Sequence, residues 1–110
     1  MATAYKVLGQ SAPTDTNNAN LYTVPTGTQA VVSTINVANV SAAAATFRIY
    51  IRIAGATAAD SNALAKDITL AANSVYSATQ GVTLGAGDII TVRSGTGSAI
   101  TFQAFGSEVS

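Results

Sequence analysis

The residues of this chain that could carry out acid–base chemistry are carboxylates, because the sequence contains no histidine and no cysteine. Asp60 and Asp67 are near each other in sequence and could serve as the acid and the base of a glycoside hydrolase. Such an enzyme normally binds its sugar in an aromatic-lined groove, and this chain has no tryptophan. Most acid–base and nucleophilic mechanisms also use histidine or cysteine. The sequence therefore predicts a protein that is not an enzyme.

Two Asp-x-Asn pairs resemble the beginning of a calcium-binding loop. Asp15 precedes Asn17 and Asp60 precedes Asn62, so each pair offers two oxygen ligands. Neither segment has the glycine at the sixth loop position or the glutamate at the twelfth that complete such a loop. Asp and Asn in loops commonly hydrogen-bond to their own backbone. We expect both pairs to stabilise turns, and we expect no metal or other cofactor.

Two Gly-x-Gly segments, at 85–87 and 95–97, have the composition of a phosphate-binding loop. Such a loop carries a lysine and leads into the N-terminus of a helix, whose dipole favours the phosphate. Both segments here lack the lysine and lead into strand patterns. We expect them to form the turns of β-hairpins.

One strand pattern carries the candidate interface residues. Apolar and polar side chains alternate over residues 47–53, which indicates a strand with one buried face. The apolar members, expected to face the core, are Phe47, Ile49, Ile51 and Ile53. Arg48, Tyr50 and Arg52 are expected on the other face, about 7 Å apart. A solvated face would account for this row, but Tyr and Arg are also enriched at interfaces, so we predict Arg48, Tyr50 and Arg52 as possible protein-interface residues.

The same period of two recurs along the whole chain and predicts an all-β fold. The candidate strands, rich in Thr, Val, Ile and Tyr, span residues 5–8, 21–24, 29–40, 47–53, 67–70, 75–79, 89–93 and 100–105. About eight short strands separated by turn signals indicate a two-layer antiparallel β-sandwich, either jelly-roll or immunoglobulin-like. We expect a single domain, with an N-terminal strand and a polar arm or loop in residues 1–20 and the sandwich in residues 21–110.

Two local irregularities are predicted within this framework. The apolar pattern of residues 29–40 changes register, which indicates a bulge or bend near Asn39. The segment after residue 53 is rich in alanine, and Ser61 could cap a single helical turn around residues 63–66.

The charge and hydropathy of the chain exclude several classes of partner. Five basic and five acidic residues give a formal net charge of zero. A neutral surface provides no long-range attraction for nucleic acid or an anionic membrane, and it resists self-association only weakly. No apolar run is long enough to span a membrane, and the N-terminus lacks the pattern of a secretory signal peptide. We expect copies of the chain to associate, and we expect no nucleic acid, membrane or small-molecule substrate.

Four segments together resemble a group of small virion proteins of tailed bacteriophages, including phages that infect cyanobacteria. They are residues 21–27 (LYTVPTG), 30–39 (AVVSTINVAN), 46–49 (TFRI) and 102–108 (FQAFGSE). The resemblance covers most of residues 20–110 and implies a β-sandwich subunit present in many copies in the virion. It implies no catalytic residues. The implied position is on the head, as a decoration or cement protein, or else in the neck, tail or baseplate.

The resemblance also implies the partners, which are other virion proteins such as the major capsid protein. We expect a trimer or higher homo-oligomer that is made in the host cytoplasm and located in the virion, with residues 1–20 as an arm that could order on a neighbour. The alternative is a carbohydrate- or host-receptor-binding module. That function needs an exposed aromatic platform, and the aromatic residues considered for it are Tyr5, Tyr22, Tyr50 and Tyr76.

Overall fold

The computed structural model describes residues 3–79 and 81–110, and within these ranges it is all-β. The strands are β1 (Thr3–Ser11), β2 (Ala19–Thr23), β3 (Gln29–Asn39), β4 (Ala45–Arg52), β5 (Ala63–Leu70), β6 (Val75–Ala78), β7 (Val82–Leu84), β8 (Ile89–Ser94) and β9 (Ile100–Val109). Sheet A has the order β1-β9-β3-β6, with β7 also paired to β3, and sheet B has the order β2-β8-β4-β5. The predicted two-layer antiparallel sandwich is confirmed. No helix in the described ranges is long and apolar enough to cross a membrane.

The pairing of the strands is nested, which identifies the topology. β1 pairs with β9, β2 with β8, β3 with β6 and β7, and β4 with β5. A long hairpin of four strand pairs that rolls up into two sheets gives this nesting, and it also brings β9 beside β3 and β8 beside β4. This is the jelly-roll arrangement rather than the immunoglobulin-like one. Because β6 and β7 lie end to end along β3, the nine strands of the described residues fill eight positions.

The core lies between the inner faces of the two sheets. The ring of Phe47, from sheet B, lies 6.4 Å from that of Phe102, from sheet A, in an edge-to-face arrangement. A second ring from sheet A, that of Tyr76, lies 5.3 Å from Phe47. Aliphatic side chains such as Ile35 and Ile90 are at most 1% exposed around these rings. The alternation seen in the sequence therefore places Phe47 and Ile49 inside, as predicted.

The irregularity predicted near Asn39 lies elsewhere. The bulge in β3 falls between Val32 and Thr34, where the register against β9 shifts by one residue. Asn39 is 2% exposed and pairs regularly with Ile100. Its side chain donates hydrogen bonds to the carbonyl oxygens of Ala43 and Leu70. Asn39 thus ends β3 by binding the following turn and the last residue of β5.

The predicted helical turn around residues 63–66 is wrong. These residues belong to β5, because Ala63 and Ala65 pair with β4. A short 3₁₀ turn precedes them at Asp60–Asn62, and the Asn62 side chain, not Ser61, accepts a hydrogen bond from the Ala59 N–H. Pairing with β4 outweighs the weak helical preference of a few alanines.

The two Gly-x-Gly segments form turns, but the prediction of hairpins is wrong. Asp88 N–H donates to the Gly85 carbonyl oxygen at 3.1 Å, and Ala99 N–H donates to that of Thr96 at 3.4 Å. The first turn joins β7 of sheet A to β8 of sheet B, and the second joins β8 back to β9 of sheet A. Each turn therefore connects a strand of one sheet to a strand of the other, whereas a hairpin turn connects two paired strands of the same sheet.

The N-terminal strand is longer than predicted. Thr3–Ser11 forms β1, which pairs along its length with β9 of the same chain, and residues 12–18 form the loop that leads to β2. The segment thus belongs to the sandwich in a single copy of the chain. Ordering of the N-terminal arm on a neighbour stays a prediction, and its first two residues, Met1 and Ala2, lie outside the described ranges.

Replacing Asn39 by aspartate is expected to lower the free energy of unfolding by about 2–4 kcal/mol at neutral pH. The carboxylate cannot donate to the two carbonyl oxygens that Asn39 Nδ2 binds, and it places a charge at a buried position. Urea denaturation measures the difference. The matched control is Asn17→Asp at an exposed loop position, which should change stability by less than about 0.5 kcal/mol. Equal stabilities for the two variants would contradict this account of Asn39.

Candidate functional site

The predicted interface row lies on the outer face of sheet B. β4 is an inner strand of this sheet, between β8 and β5. Arg48 stands opposite Arg93 of β8, and Tyr50 stands opposite Thr91. The row was therefore assigned to the correct face.

Arg48 is held by an acidic residue of the neighbouring strand. Its Nε and Nη2 donate to the two carboxylate oxygens of Asp67 at 2.6 and 3.0 Å. The hydrogen bonds from Arg48 are the main cause that lowers the pKa of Asp67, and the charges of Arg48, Lys66 and Arg93 act in the same direction. Asp67 has a φ of 53°, and the pairing of β4 with β5 is irregular at this point. The irregular backbone directs the carboxylate towards the guanidinium.

The other two members of the row are engaged within the chain. Tyr50 faces outward, yet it is only 5% exposed, and its hydroxyl accepts a hydrogen bond from Arg48 Nη1 at 3.3 Å. Arg52 donates to the carbonyl oxygens of Ala56 and Gly55 at 2.6 and 3.1 Å. Little of the Tyr50 side chain is therefore accessible to a partner, and the interface role of the row stays a prediction. Ile53, expected in the core, is 70% exposed, because β4 ends at Arg52 and Ile53 begins the segment that follows.

Arg93 was missed by the sequence analysis. Its Nε donates to the Thr16 carbonyl oxygen at 2.7 Å, and it lines a cavity of about 280 Å³ beside Arg48 and Asp67. β8 is a mixed strand (IITVRS), and its single basic residue has no local pattern that marks it. The signal that could have found Arg93 is the pairing of β8 with β4, which the sequence alone does not provide.

Sheet A presents a contrasting outer face. The side chains that point outward from its strands, in the register of the sheet, include Tyr5, Val7, Gln10, Val31, Thr34, Asn36, Ala38, Val75, Ser77, Thr83, Thr101, Gln103, Phe105 and Ser107. None of these side chains is charged. Three of the large apolar ones, Tyr5, Val7 and Val31, are 87%, 48% and 42% exposed. The two outer faces of the sandwich thus differ in chemistry, one charged and one neutral.

β1 is the long edge strand of sheet A. Its residues from Thr3 to Val7 are all exposed, and its one charged side chain, Lys6, binds Glu108 of β9 at 3.0 Å. The Tyr22 hydroxyl donates to the same carboxylate, and these two bonds lower the pKa of Glu108, the one from Tyr22 first. Burial and the bond to Glu108 raise the pKa of Tyr22. Lys6, the one charged residue of β1, is therefore paired within the chain, as are Tyr22 and Glu108.

The tyrosines do not form a common platform. Tyr22 and Tyr50 are less than a tenth exposed, and Tyr76 packs on Phe47 in the core. Tyr5 alone among the four is largely exposed. An extended aromatic surface of the kind expected for a carbohydrate-binding module is therefore not formed by these residues.

Comparison with known proteins gives a fold but no family. No family model matches the chain, and no curated protein matches it. Among solved structures, a chain from the structure of infectious bursal disease virus Gx strain matches with a TM-score of 0.50 and 12% sequence identity. The match covers 97% of this chain and 31% of that chain, so this chain spans about a third of the length of its structural neighbour. At this identity the likeness shows the two-layer β fold.

Replacing Arg48 by methionine is expected to raise the pKa of Asp67 towards the ordinary carboxyl value of about 4. The guanidinium stabilises the ionised form, so the stability contributed by this pair is present above the ordinary carboxyl pKa and is lost as the pH falls through the lowered one. A ¹³C NMR titration of the Asp67 carboxyl carbon measures the change. Arg52→Met is the control, since Arg52 binds carbonyl oxygens of the loop after β4. An Asp67 pKa that is the same in wild type and Arg48→Met would contradict the assignment.

Proposed function

We propose that this protein is a non-enzymatic, self-associating structural subunit of a bacteriophage virion, and that it decorates or cements the head. A place in the neck, tail or baseplate is the second position within the same proposal. Jelly-roll sandwiches are used in viral capsid proteins, and a chain in the structure of a virus shares this fold. The resemblance to small virion proteins of tailed phages supports the finer assignment.

The observation that carries the proposal is the uncharged outer face of sheet A. With strands about 4.8 Å apart and outward residues about 6.7 Å apart along a strand, the fourteen outward side chains named above cover on the order of 450 Å². Stable interfaces bury about 800 Å² on each partner. A neutral face of this size can pack against an identical face without opposing like charges, whereas the arginines of sheet B would oppose each other in such a contact.

The edge of β1 adds a second means of association. An edge strand offers unpaired backbone N–H and C=O groups, and proteins usually protect such edges by short strands, bulges or charges. β6 and β7 at the opposite edge of sheet A are four and three residues long. β1 has nine residues, a single bulge between Val7 and Gly9, and one charged residue, Lys6, which is paired with Glu108. Pairing of β1 with a neighbouring copy would extend sheet A and enlarge the neutral face.

The proposed partners are therefore copies of the chain itself, as a trimer or higher oligomer, and the major capsid protein. The non-enzymatic role is supported by the use of the carboxylates. In the described ranges Asp60 binds Lys66, Asp67 binds Arg48, and Glu108 binds Tyr22 and Lys6. These pairs hold strands and loops together, and we propose no substrate, cofactor or nucleic acid.

Replacing Val7 by lysine is expected to reduce the oligomer to a single chain, because the new charge lies on the neutral face beside the free edge. Light scattering coupled to size-exclusion chromatography measures the mass. Ile53→Lys is the matched control, since Ile53 is 70% exposed but lies in the segment beside sheet B. The control should keep the mass of the wild type.

Two results would count against the proposal. One is a wild-type mass equal to one chain together with no binding to capsids purified from the virus that encodes the protein. The other is an equal loss of mass in Val7→Lys and Ile53→Lys, which would show that sheet A has no special role.

The second candidate function is a carbohydrate- or host-receptor-binding module, since jelly rolls also occur in lectin domains. The observation in its favour is Tyr5, which is 87% exposed on the same face as Phe105. A glycan array tests it. Reproducible binding that is lost in Tyr5→Ala would favour this function, and an array without signals would remove it.

A further inference from the structure

The cavity beside Arg93 contains more positive than negative charge. Its polar lining includes Thr16, Thr46, Arg48, Asp67 and Arg93. Two guanidinium groups therefore face one carboxylate. Arg48 and Arg93 are directly opposite each other on β4 and β8, an arrangement that is unfavourable for like charges. One further negative charge would neutralise the cavity.

Arg93 also has unused hydrogen-bonding capacity. Its Nε is bound to the Thr16 carbonyl oxygen, which fixes the direction of the side chain. Its two terminal nitrogens make no hydrogen bond to any residue in the ranges that the structure covers. Arg48, by contrast, uses Nε, Nη1 and Nη2 on Asp67 and Tyr50. The free donors of the cavity therefore belong mainly to Arg93, and they form the planar fork that binds a carboxylate with two bonds.

The walls of the cavity are held by close backbone contacts. Gly95 N–H donates to the Thr46 carbonyl oxygen at 2.8 Å, and a Cβ at Gly95 would overlap the Thr46 hydroxyl. A Cβ at Gly97 would lie 2.6 Å from the Thr14 carbonyl oxygen, too close for any other residue without a shift of the loop. These two glycines let the turn after β8 pack against Thr46 and against the loop that carries Thr16. The position of Arg93 is thus determined by the backbone around it.

We propose that this cavity receives one carboxylate side chain of a protein other than a second copy of this chain. A single carboxylate would neutralise the two arginines and Asp67, and it would bind the terminal nitrogens of Arg93. A phosphate dianion would leave the cavity with excess negative charge and would be repelled by Asp67. The charge balance therefore favours an aspartate or glutamate of the partner over a phosphate.

The partner is assigned to a different protein because each acidic side chain of this chain is already engaged within its own chain. Every acidic side chain accepts a hydrogen bond from a donor in its own chain, and these are Asp15, Asp60, Asp67, Asp88 and Glu108. A second copy would have to share with the cavity a carboxylate that already binds a donor of its own chain. The inference is independent of the self-association proposed for sheet A, because it concerns the opposite face of the sandwich.

The test uses the full chain with isotope-labelled arginine, and it follows the Nε–Hε NMR signals. The probes are a capped Gly-Gly-Glu-Gly-Gly peptide, the same peptide with Gln in place of Glu, and inorganic phosphate. We expect saturable shifts of the Arg93 signal with the Glu peptide and none with the Gln peptide. Arg93→Gln should weaken binding, followed through the Arg48 signal, about tenfold, the loss expected for one charge-assisted pair. Arg93→Lys should fall between wild type and Arg93→Gln.

Arg52→Gln is the control on the same face, and it should bind the Glu peptide as the wild type does. An unchanged Arg48 signal in ligand-free Arg93→Gln shows that the variant is folded. The proposal is overturned by equal shifts with both peptides, by no saturable shift at all, or by tighter binding of phosphate than of the Glu peptide. A smaller oligomer mass in Arg93→Gln would also overturn it, because the carboxylate would then come from a second copy. If only the self-association proposed for sheet A fails, the wild type and Arg93→Gln have the same mass, and the Glu peptide still binds at Arg93.

Discussion

The packing of two inner faces against each other is the constraint on which the rest of this structure depends. Each strand gives every second side chain to the core, where Phe47 and Phe102 meet across the two layers. Only the outward positions remain for contact with other molecules. Because nearly all of the few charged side chains lie on sheet B or in loops, the outward positions of sheet A are neutral. The difference between the two faces thus follows from where a small number of charges are placed on a sandwich.

The period of two in the sequence was sufficient to predict the layers, but not the surface. Phe47 and Ile49 are buried as their spacing predicts, because alternation is a property of the strand itself. Tyr50 faces outward, yet it is only 5% exposed, and its hydroxyl binds Arg48, which is held by Asp67 of a neighbouring strand. Arg93 becomes part of the cavity because it lies opposite Arg48 of another strand. Local patterns cannot show either effect, since both require the pairing of distant segments.

The topology could not be predicted for a related reason. Jelly-roll and immunoglobulin-like sandwiches use similar strands and turns, and they differ in which strands are neighbours. In this chain the Gly-rich turns at 85–88 and 95–99 have the composition of hairpin turns, yet both cross between the sheets. Their residues satisfy the local backbone geometry in either arrangement. The pairing of strands that are distant in sequence selects the jelly roll. The most important pairing is that of β9, which lies between β1 and β3.

Asp67 links the fold to the proposed carboxylate site. Its φ of 53° lies in the left-handed region, where a residue other than glycine is strained by about 1–3 kcal/mol, although aspartate tolerates this region better than most residues. A glycine would adopt the same backbone without strain, but it would leave Arg48 and Arg93 opposite each other without a counter-charge. The aspartate at this position thus supplies a counter-charge that a glycine could not supply. Asp67 neutralises one of the two guanidinium groups, and the proposed carboxylate of the partner would neutralise the other.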